Sequence, residues 1–298
     1  MKVSIKSKKT EKNVSNIYIS VIIPSYNSSQ TVEACLQSVL NQKTKVNYEV
    51  LVVDSSTDNT LKILKRYVSK IRFLHFLKRC DVGTARNIGI KNVKADIIVF
   101  IDADCVVNDS WIDNIYNAHK KYDIVGGRLL NGNPGSLFGW CQFFIEFTEF
   151  ASKYDKVVDN IPGGHASYKK KIFCKYGLFD ETSYQSEDFI FNSKISEKKF
   201  FSSKMIAKHT NRTNFLTNLK HAFRLGYGDA FARKHSNLSG KFLLKYKLLI
   251  PLICLYRFLA IGYRAIRAEY FLIFLLTSPL VFISLVTYNV GFANYAFK

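Results

Sequence analysis

The chain has no Cys-x-x-Cys pair; its six cysteines, Cys35, Cys80, Cys105, Cys141, Cys174 and Cys254, are scattered. That spacing argues against a zinc site and against a disulfide framework, and it fits a reducing compartment. No Gly-x-x-x-x-Gly-Lys-Ser/Thr occurs, which excludes a P-loop. No Gly-x-Gly-x-x-Gly follows the first predicted strand, so a dinucleotide site lacks its fingerprint. Internal repeats and low-complexity runs are absent. Residues 1–16 are polar and lysine-rich with no apolar core, so they read as a disordered basic arm and not as a signal peptide. Acids are scarce, with 23 Asp and Glu against 43 Lys and Arg, a net charge of +20. Such an excess fits nucleic acid, an anionic membrane surface or a phosphorylated substrate. From Tyr270 to Phe297 charge is missing altogether.

What is present centres on Ile97–Cys105, IIVFIDADC. Ile97–Ile101 reads as a strand buried on both faces, as at the centre of a parallel sheet. It ends in Asp102-Ala103-Asp104. Carboxylates at i and i+2 of an extended segment point the same way. At the C-terminal edge of a central strand they lie where open α/β sheets bind ligands. They repel each other unless a cation sits between them, and hard oxygens suit Mg²⁺ or Mn²⁺. The alternative is a loop in which both Asp side chains are simply solvated.

Around that strand the spacing predicts a doubly wound α/β half. Tyr18–Ile23 is a strand closed by Pro24, and Ser28 or Ser29 caps a helix whose Val32, Cys35, Leu36, Val39 and Leu40 share a face. Tyr48–Val53 is a second strand closed by Asp54. Leu61, Leu64 and Val68 mark a helix, and Ile71–Leu77 a third strand. A helix over Thr84–Ile90 leads into the central strand. The next carries Trp111, Ile112, Ile115, Tyr116 and His119 on one face, and Asp123–Leu130 is a strand interrupted by Gly126-Gly127. His165–Lys169 and Lys199–His209 are later strands, Ser186 caps a helix through Ile195, and a basic amphipathic helix spans Asn214–His235. The aromatic-rich stretch Leu137–Ala151 is either a core helix or a face that meets lipid or a lipid-linked substrate. Leu248–Tyr263, broken by Pro251 and Arg257, is a buried helix, an interfacial segment, or a span whose arginine snorkels. Tyr270–Val290 meets the length of a membrane span even with Pro279 inside it.

Taken in order, SVIIPSYN (Ser20–Asn27), VVDSSTDNT (Val52–Thr60), GTARNIGI (Gly83–Ile90), FIDADC (Phe100–Cys105) and SEDF (Ser186–Phe189) resemble the family-2 glycosyltransferases over about Ile17–Arg212. Each motif alone is weak; together, in the family's order and at strand ends or helix starts, they are specific. The resemblance implies the GT-A fold, a Rossmann-like α/β domain with a mostly parallel central sheet and helices on both faces. That domain covers 17–236, followed by C-terminal membrane-anchoring helices over 237–298. It implies a UDP- or GDP-linked nucleoside-diphosphate sugar as donor and Mn²⁺ or Mg²⁺ as cofactor. Pro24 and Tyr26 match the segment flanking the base and ribose, Asp54 the acid that hydrogen-bonds the base, and Arg86 a basic residue near the nucleotide. Asp102 matches the acid facing the ribose or a metal-bound water, and Asp104 the metal ligand. His209 is then a third metal ligand or phosphate contact, and Arg212 either a diphosphate contact or an ordinary surface arginine. Asp188 matches the catalytic base and Glu187 its less critical neighbour. The turn after Asp54 is one residue shorter than the family's usual turn, with Ser55-Ser56 in its place. The Gln-x-x-Arg-Trp motif of the processive synthases is absent, and His221–Gly228 occupies that region. This implies single-sugar transfer to a glycan or lipid-linked acceptor.

The chemistry asks for these residue types. Two phosphates gather charge as the donor's C1–O bond breaks, and a metal held by carboxylates offsets it. A carboxylate on the other side of the sugar takes the acceptor's proton. Direct displacement with a single base inverts the anomeric carbon. Two other functions compete. A sugar nucleotidyltransferase of related layout would carry a Gly-rich, Arg/Lys-bearing loop after the first strand, where this chain has PSYNSSQ. A basic nucleic-acid-binding protein would interleave aromatics with Lys and Arg. Here they cluster in Leu137–Ala151 and the C-terminal segment, so no nucleic-acid partner is expected. The cations Lys241, Lys245, Lys247, Arg257, Arg264 and Arg267 flank the hydrophobic segments as cytoplasmic loops do, which places the catalytic domain on the cytoplasmic side of a membrane.

Overall fold

The computed structural model describes residues 3–6, 17–182 and 186–298. Its elements in chain order are β1 (Val3–Lys6), β2 (Ile19–Ser25), α1 (Val32–Leu40), β3 (Tyr48–Asp54), α2 (Thr60–Arg66), β4 (Arg72–Phe76), α3 (Val82–Lys91), β5 (Ile97–Ile101), β6 (Cys105–Val107), α4 (Trp111–Ala118), β7 (Ile124–Asn131), α5 (Leu137–Glu146), β8 (Lys156–Val158), β9 (His165–Lys169), α6 (Lys170–Tyr176), α7 (Glu187–Lys194), β10 (Lys199–His209), α8 (Phe215–His235), α9 (Ile250–Arg267) and α10 (Phe271–Ala296). Of the 1–16 segment expected to be a disordered arm, Val3–Lys6 form a strand antiparallel to β4, and the rest lies outside the described residues.

Among the described residues the strands form one ten-stranded sheet in the order β1-β4-β3-β2-β5-β9-β7-β10-β6, with β8 paired to β10. The run β4-β3-β2-β5 is parallel, and β9 turns antiparallel against β5. The parallel core follows from composition. The β2, β3 and β5 side chains are apolar and buried on both faces almost throughout, which only a sheet covered on both sides accommodates. Pro24, expected to close the first strand, lies inside β2 opposite Val53. Pairing with β5 stops at Ile22, so the missing proline N–H breaks no bond on that side. The strand β7 runs through Gly126-Gly127 without the expected interruption. Val68, expected on the buried face of α2, is 43% exposed, because the helix ends at Arg66.

The chain falls into two compact units. The first is Met1–Arg128, Asp155–Glu181 and Ile195–Ala207; the second is Leu129–Tyr154, Thr182–Lys194 and Lys208–Lys298. In this grouping α5, α7 and α8, which precede the expected boundary at 236/237, fall with the C-terminal helices. The cause is direct packing. A Cβ on Gly226 of α8 would lie 1.9 Å from the Tyr288 carbonyl oxygen, and one on Gly291 of α10 would lie 2.0 Å from the Phe223 oxygen. Two glycines thus let the α8 and α10 backbones touch. Trp140, Phe143 and Phe144 of α5 are buried in one cluster with Phe274, Leu285 and Tyr288 of α10, so the aromatic stretch is core.

Lys247–Arg267 and Phe271–Ala296 are two helices long and apolar enough to cross a membrane, by length and composition. Arg257 does not snorkel outward. It donates to the Ile145 carbonyl at 2.9 Å, lies 3.5 Å from Asp229, and sits 4.2 Å above the Tyr288 ring. Pro279 leaves the Leu275 carbonyl without its helical N–H. The Ser278 hydroxyl donates to that carbonyl at 2.8 Å, and α10 continues through the proline.

Candidate active site

In the first unit, parallel pairing brings the C-terminal ends of the central strands to one edge. Ser25 stands opposite Asp54, Asp54 opposite His75, and Asp102 follows β5. The loops after β2 and β3 are tied to each other. Asn27 adopts a left-handed φ of 50°, which asparagine tolerates better than most residues. Its N–H donates to Ser56 Oγ at 2.7 Å, and its Oδ1 accepts from the Thr57 N–H at 2.9 Å. The Ser28 N–H donates to Thr60 Oγ1 at 2.9 Å, and the Ser29 N–H to Asp58 Oδ2 at 3.2 Å. The shortened Ser55-Ser56 turn is therefore a brace between two loops. The sequence marked both as turns but not the tie between them; its one local signal was an Asn beside a run of short hydroxyl side chains.

Asp54, expected to contact the base, has partners for both side-chain oxygens within the chain. Asp54 is fully buried. Its Oδ1 accepts from Ser56 Oγ at 2.5 Å, and its Oδ2 lies 2.6 Å from His75 Nδ1. Burial demands partners for both oxygens, and this chain supplies them internally. Tyr26, 40% exposed, lies nearer solvent, with the Arg79 guanidinium 4.6 Å from its ring centre. His75 went unremarked in the sequence, where it sat inside an apolar strand. A cavity of about 610 Å³ opens beside β4 and α3, lined by Phe76, Lys78, Arg79 and Thr84 among others; none of the expected site residues lines it.

Asp102 and Asp104 do not lie on an extended segment. The strand ends at Ile101, and the Cys105 N–H donates to the Asp102 carbonyl at 3.0 Å, so Asp102–Cys105 is a tight turn between β5 and β6. The parallel-pointing argument fails for that reason. Asp102, 35% exposed, sets its Oδ1 3.3 Å from Arg86 NH2. A Cβ on Gly164 would lie 1.9 Å from Asp102 Oδ2, so any larger residue there would displace this carboxylate. Arg86 is itself 3% exposed, with its guanidinium 5.8 Å from the rings of both Phe100 and Phe179. A buried arginine with a partner carboxylate is costly to leave half-paired, so the two hold each other. The next residue, Asn87, fixes the segment before Glu181. It donates to the Phe179 carbonyl and to Glu181 Oε1, both at 2.9 Å, and accepts from the Phe179 N–H at 3.0 Å. Beneath the turn, burial pushes the Cys35 and Cys105 thiols up, and the Asp104 and Asp102 charges add to it. Both thiols stay protonated there.

The second unit holds the other expected residues. Glu187 and Asp188 open α7; Glu187 is buried, and Asp188 is half-buried with its Oδ1 accepting from the Phe189 N–H at 2.8 Å. Both carboxylates gain from the helix N-terminus. His209 is buried, with Nδ1 2.9 Å from Asn211 Oδ1 and the Phe147 ring 4.5 Å away. The Arg212 side chain is exposed. A pair missed in the sequence is Glu146 and His221, 2.8 Å apart. Burial alone would raise the Glu146 carboxyl; the charge and hydrogen bond of His221, with His209 and Gln142 behind them, outweigh it and hold the group well below the usual carboxylate range. Among the described residues no three His, Cys, Asp or Glu side chains gather as a metal cage. Mg²⁺ and Mn²⁺ need none when one or two carboxylates share the ion with substrate phosphates.

Comparison with known proteins gives four likenesses. The model of the family "Glycosyl transferase family 2" matches residues 20–177, just over half of the 298-residue chain. The chain is 33% identical over 127 residues to the poly(ribitol-phosphate) β-N-acetylglucosaminyltransferase TarP of Staphylococcus aureus, covering 40% of this chain and 39% of that protein. It is 35% identical over 123 residues to the UDP-Glc:α-D-GlcNAc-diphosphoundecaprenol β-1,3-glucosyltransferase WfgD of Escherichia coli, covering 41% and 44%. The matched part thus spans about two fifths of the length of these curated relatives. Among solved structures, the mannosyltransferase PcManGT of Pyrobaculum calidifontis, in complex with GDP-Man and Mn²⁺, superposes with a TM-score of 0.59 at 16% identity, over 94% of this chain and 88% of that one. At that identity the likeness shows the fold, GT-A.

Proposed function

The chain belongs to glycosyl transferase family 2, and from that membership we propose that it moves one sugar, with inversion, from a UDP- or GDP-linked donor to a hydroxyl of a glycan or lipid-linked acceptor. The observation that carries the reading is the Asp102–Cys105 turn at the end of the central strand, locked by Arg86 and floored by Gly164, inside the region that matches the family. The names of the relatives support the substrate class: TarP is named for a poly(ribitol-phosphate) acceptor, WfgD for a UDP-Glc donor and a diphosphoundecaprenol-linked acceptor. Both names specify β-linked products.

Asp104, with Asp102 beside it, would hold a Mn²⁺ or Mg²⁺ ion. Asp104 matches the family's metal ligand, and Asp102 stands beside it with Oδ1 3.3 Å from Arg86. When bound, such an ion offsets the charge that gathers on the leaving diphosphate. The chain's own residues do the rest. The braced loops after β2 and β3 bind the nucleoside, with Pro24 fixing the backbone and Tyr26 facing the base. Asp54 acts there through His75 and Ser56, which it holds in place. Asp188 accepts the acceptor hydroxyl's proton, and its hydrogen bond from the Phe189 N–H fixes the carboxylate's direction. Glu187 is its buried neighbour, and His209 a contact for the donor phosphates. The apolar helices α9 and α10 attach the protein to the cytoplasmic face of a membrane, where nucleotide sugars and lipid-linked acceptors meet. The test is nucleotide release by detergent-solubilised protein from a panel of UDP- and GDP-sugars, with Mn²⁺ or Mg²⁺ and a lipid-linked glycan acceptor. Release from one donor, dependent on acceptor, is expected; no release from any sugar nucleotide would sink the assignment.

A further inference from the structure

The membrane attachment proposed above leaves open how α9 and α10 meet lipid, and the second unit's internal ties narrow the choice. Each helix turns one apolar side outward. On α9, Leu252, Leu255, Tyr256, Leu259 and Tyr263 are exposed, recurring at three- and four-residue steps along one face. On α10, Leu272, Leu275, Leu276, Ile283 and Val286 are exposed in the same way. The inward side of α10 is mixed instead, burying Thr277, Ser284 and Asn289.

A hairpin that crosses a bilayer has its turn on the far side, out of reach of the rest of the chain. Here the turn is held. Glu269 pairs with Lys153, Arg264 lies 3.7 Å from Glu149, and the Tyr270 and Trp140 rings are 5.1 Å apart. The opposite end is held too. Tyr288 donates to Asp229 of α8, Arg257 reaches the same carboxylate at 3.5 Å, and Arg233 lies 5.8 Å from the Phe292 ring centre. Against this half of α10, backbone to backbone, lies α8, which exposes Lys220, Arg224 and Lys234, cations that are expensive in hydrocarbon. A 26-residue helix is about 39 Å long, enough to span, but its two ends are bound to charged parts of the same unit. Carrying the turn across would drag Glu149 and Lys153 through the bilayer.

We infer that α9 and α10 lie in the plane of an anionic bilayer surface, with their outward apolar sides in the acyl boundary, and do not cross it. Charge favours this occupant. Lys241, Lys245, Arg267 and Lys298 are exposed at the ends of the two helices, where they meet anionic headgroups. Tyr246, Tyr256 and Tyr263 are exposed beside them, a residue type that settles at the headgroup level. The same like charges disfavour a second copy of the chain as the occupant.

The inference rests on the membrane reading above, and its test separates the two. Full-length protein is mixed with vesicles of phosphatidylglycerol and phosphatidylcholine, floated on a density gradient, and floated again after alkaline carbonate. Flotation that needs the anionic lipid and is lost in carbonate is expected. The Leu272→Glu/Leu276→Glu and Leu252→Glu/Leu259→Glu variants, changed only at exposed positions, should float at least tenfold less while keeping nucleotide release in solution. Carbonate-resistant flotation would overturn the in-plane arrangement and leave attachment standing. Failure to float with any vesicle, or a dimer in sedimentation that buries these faces, would overturn both. Loss of nucleotide release in wild-type protein bears on the catalytic proposal alone.

Discussion

At the scale of single residues, the turn after β5 holds two carboxylates that look alike in the sequence and are proposed to act differently. Asp102 is committed to Arg86 and wedged over Gly164. Asp104, two residues further along the turn, is the proposed metal ligand. Asp104→Ala is therefore expected to cut transfer by about 10³-fold, the kinetic equivalent of several kcal/mol of charge stabilisation, with folding unchanged by circular dichroism. Gly164→Ala probes the floor of the site: its Cβ would lie 1.9 Å from Asp102 Oδ2, so the carboxylate must swing away from Arg86. Transfer should fall and donor binding weaken together, as titration calorimetry would show; wild-type kinetics in this variant would mean that the position of Asp102 is irrelevant. Asp188→Asn keeps the size and the helix start but cannot take a proton. Turnover should drop by about 10²–10⁴-fold with donor affinity nearly unchanged, and Glu187→Gln should cost far less. If Asp188→Asn retains more than about a tenth of the turnover, the base lies elsewhere.

At the scale of elements, the contact between α8 and α10 is the least forgiving in the second unit, because no side chain separates the backbones at Gly226 and Gly291. Gly291→Val is expected to force the helices apart and destabilise the protein by about 1–3 kcal/mol, the usual cost of overpacking. Gly135→Ala, where a Cβ would meet nothing within 4 Å, is the neutral control in thermal denaturation. Nothing in the sequence announced that contact. A glycine in a basic helix and another in an apolar one carry no periodic signal. The parallel strands were legible, because Val21, Val52 and Val99 sit in continuous apolar runs that only a doubly covered sheet can bury. The braces were not: Ser56 to Asn27, His75 to Asp54 and Asn87 to Phe179 join residues 29, 21 and 92 positions apart. Tertiary hydrogen bonds of that kind leave no local pattern. Short strands such as Cys105–Val107 and Lys156–Val158 were missed for a related cause, since three residues are too few to show alternation.

At the scale of the whole molecule, the chain carries an excess of positive charge and buries His165 and His119 neutral, and the second fact shapes its response to acid. His165 is fully buried, accepts from the Trp111 indole N–H at 2.8 Å, and is pushed down to about 3 by burial. His119, 3% exposed, is pushed down to about 4, chiefly by burial. In the unfolded chain both titrate near 6.5. Between that value and the folded ones the unfolded state binds a proton that the folded state refuses, so stability is highest above about pH 6.5 and falls as the pH drops. By pH 5 each histidine accounts for a loss of about 2 kcal/mol, and the two together should lower the melting temperature by roughly 10 °C. The slope flattens once the pH passes below about 4, where the folded protein begins to take up the protons. Scanning fluorimetry of detergent-solubilised protein from pH 7.5 to 4.5 reads this directly. His165→Gln keeps an acceptor for the Trp111 N–H but cannot titrate, so it should remove about half of the pH dependence whatever it does to the melting temperature at pH 7.5. An unchanged slope in that variant would mean that His165 is protonated in the folded state and that its ring has a partner for a second N–H.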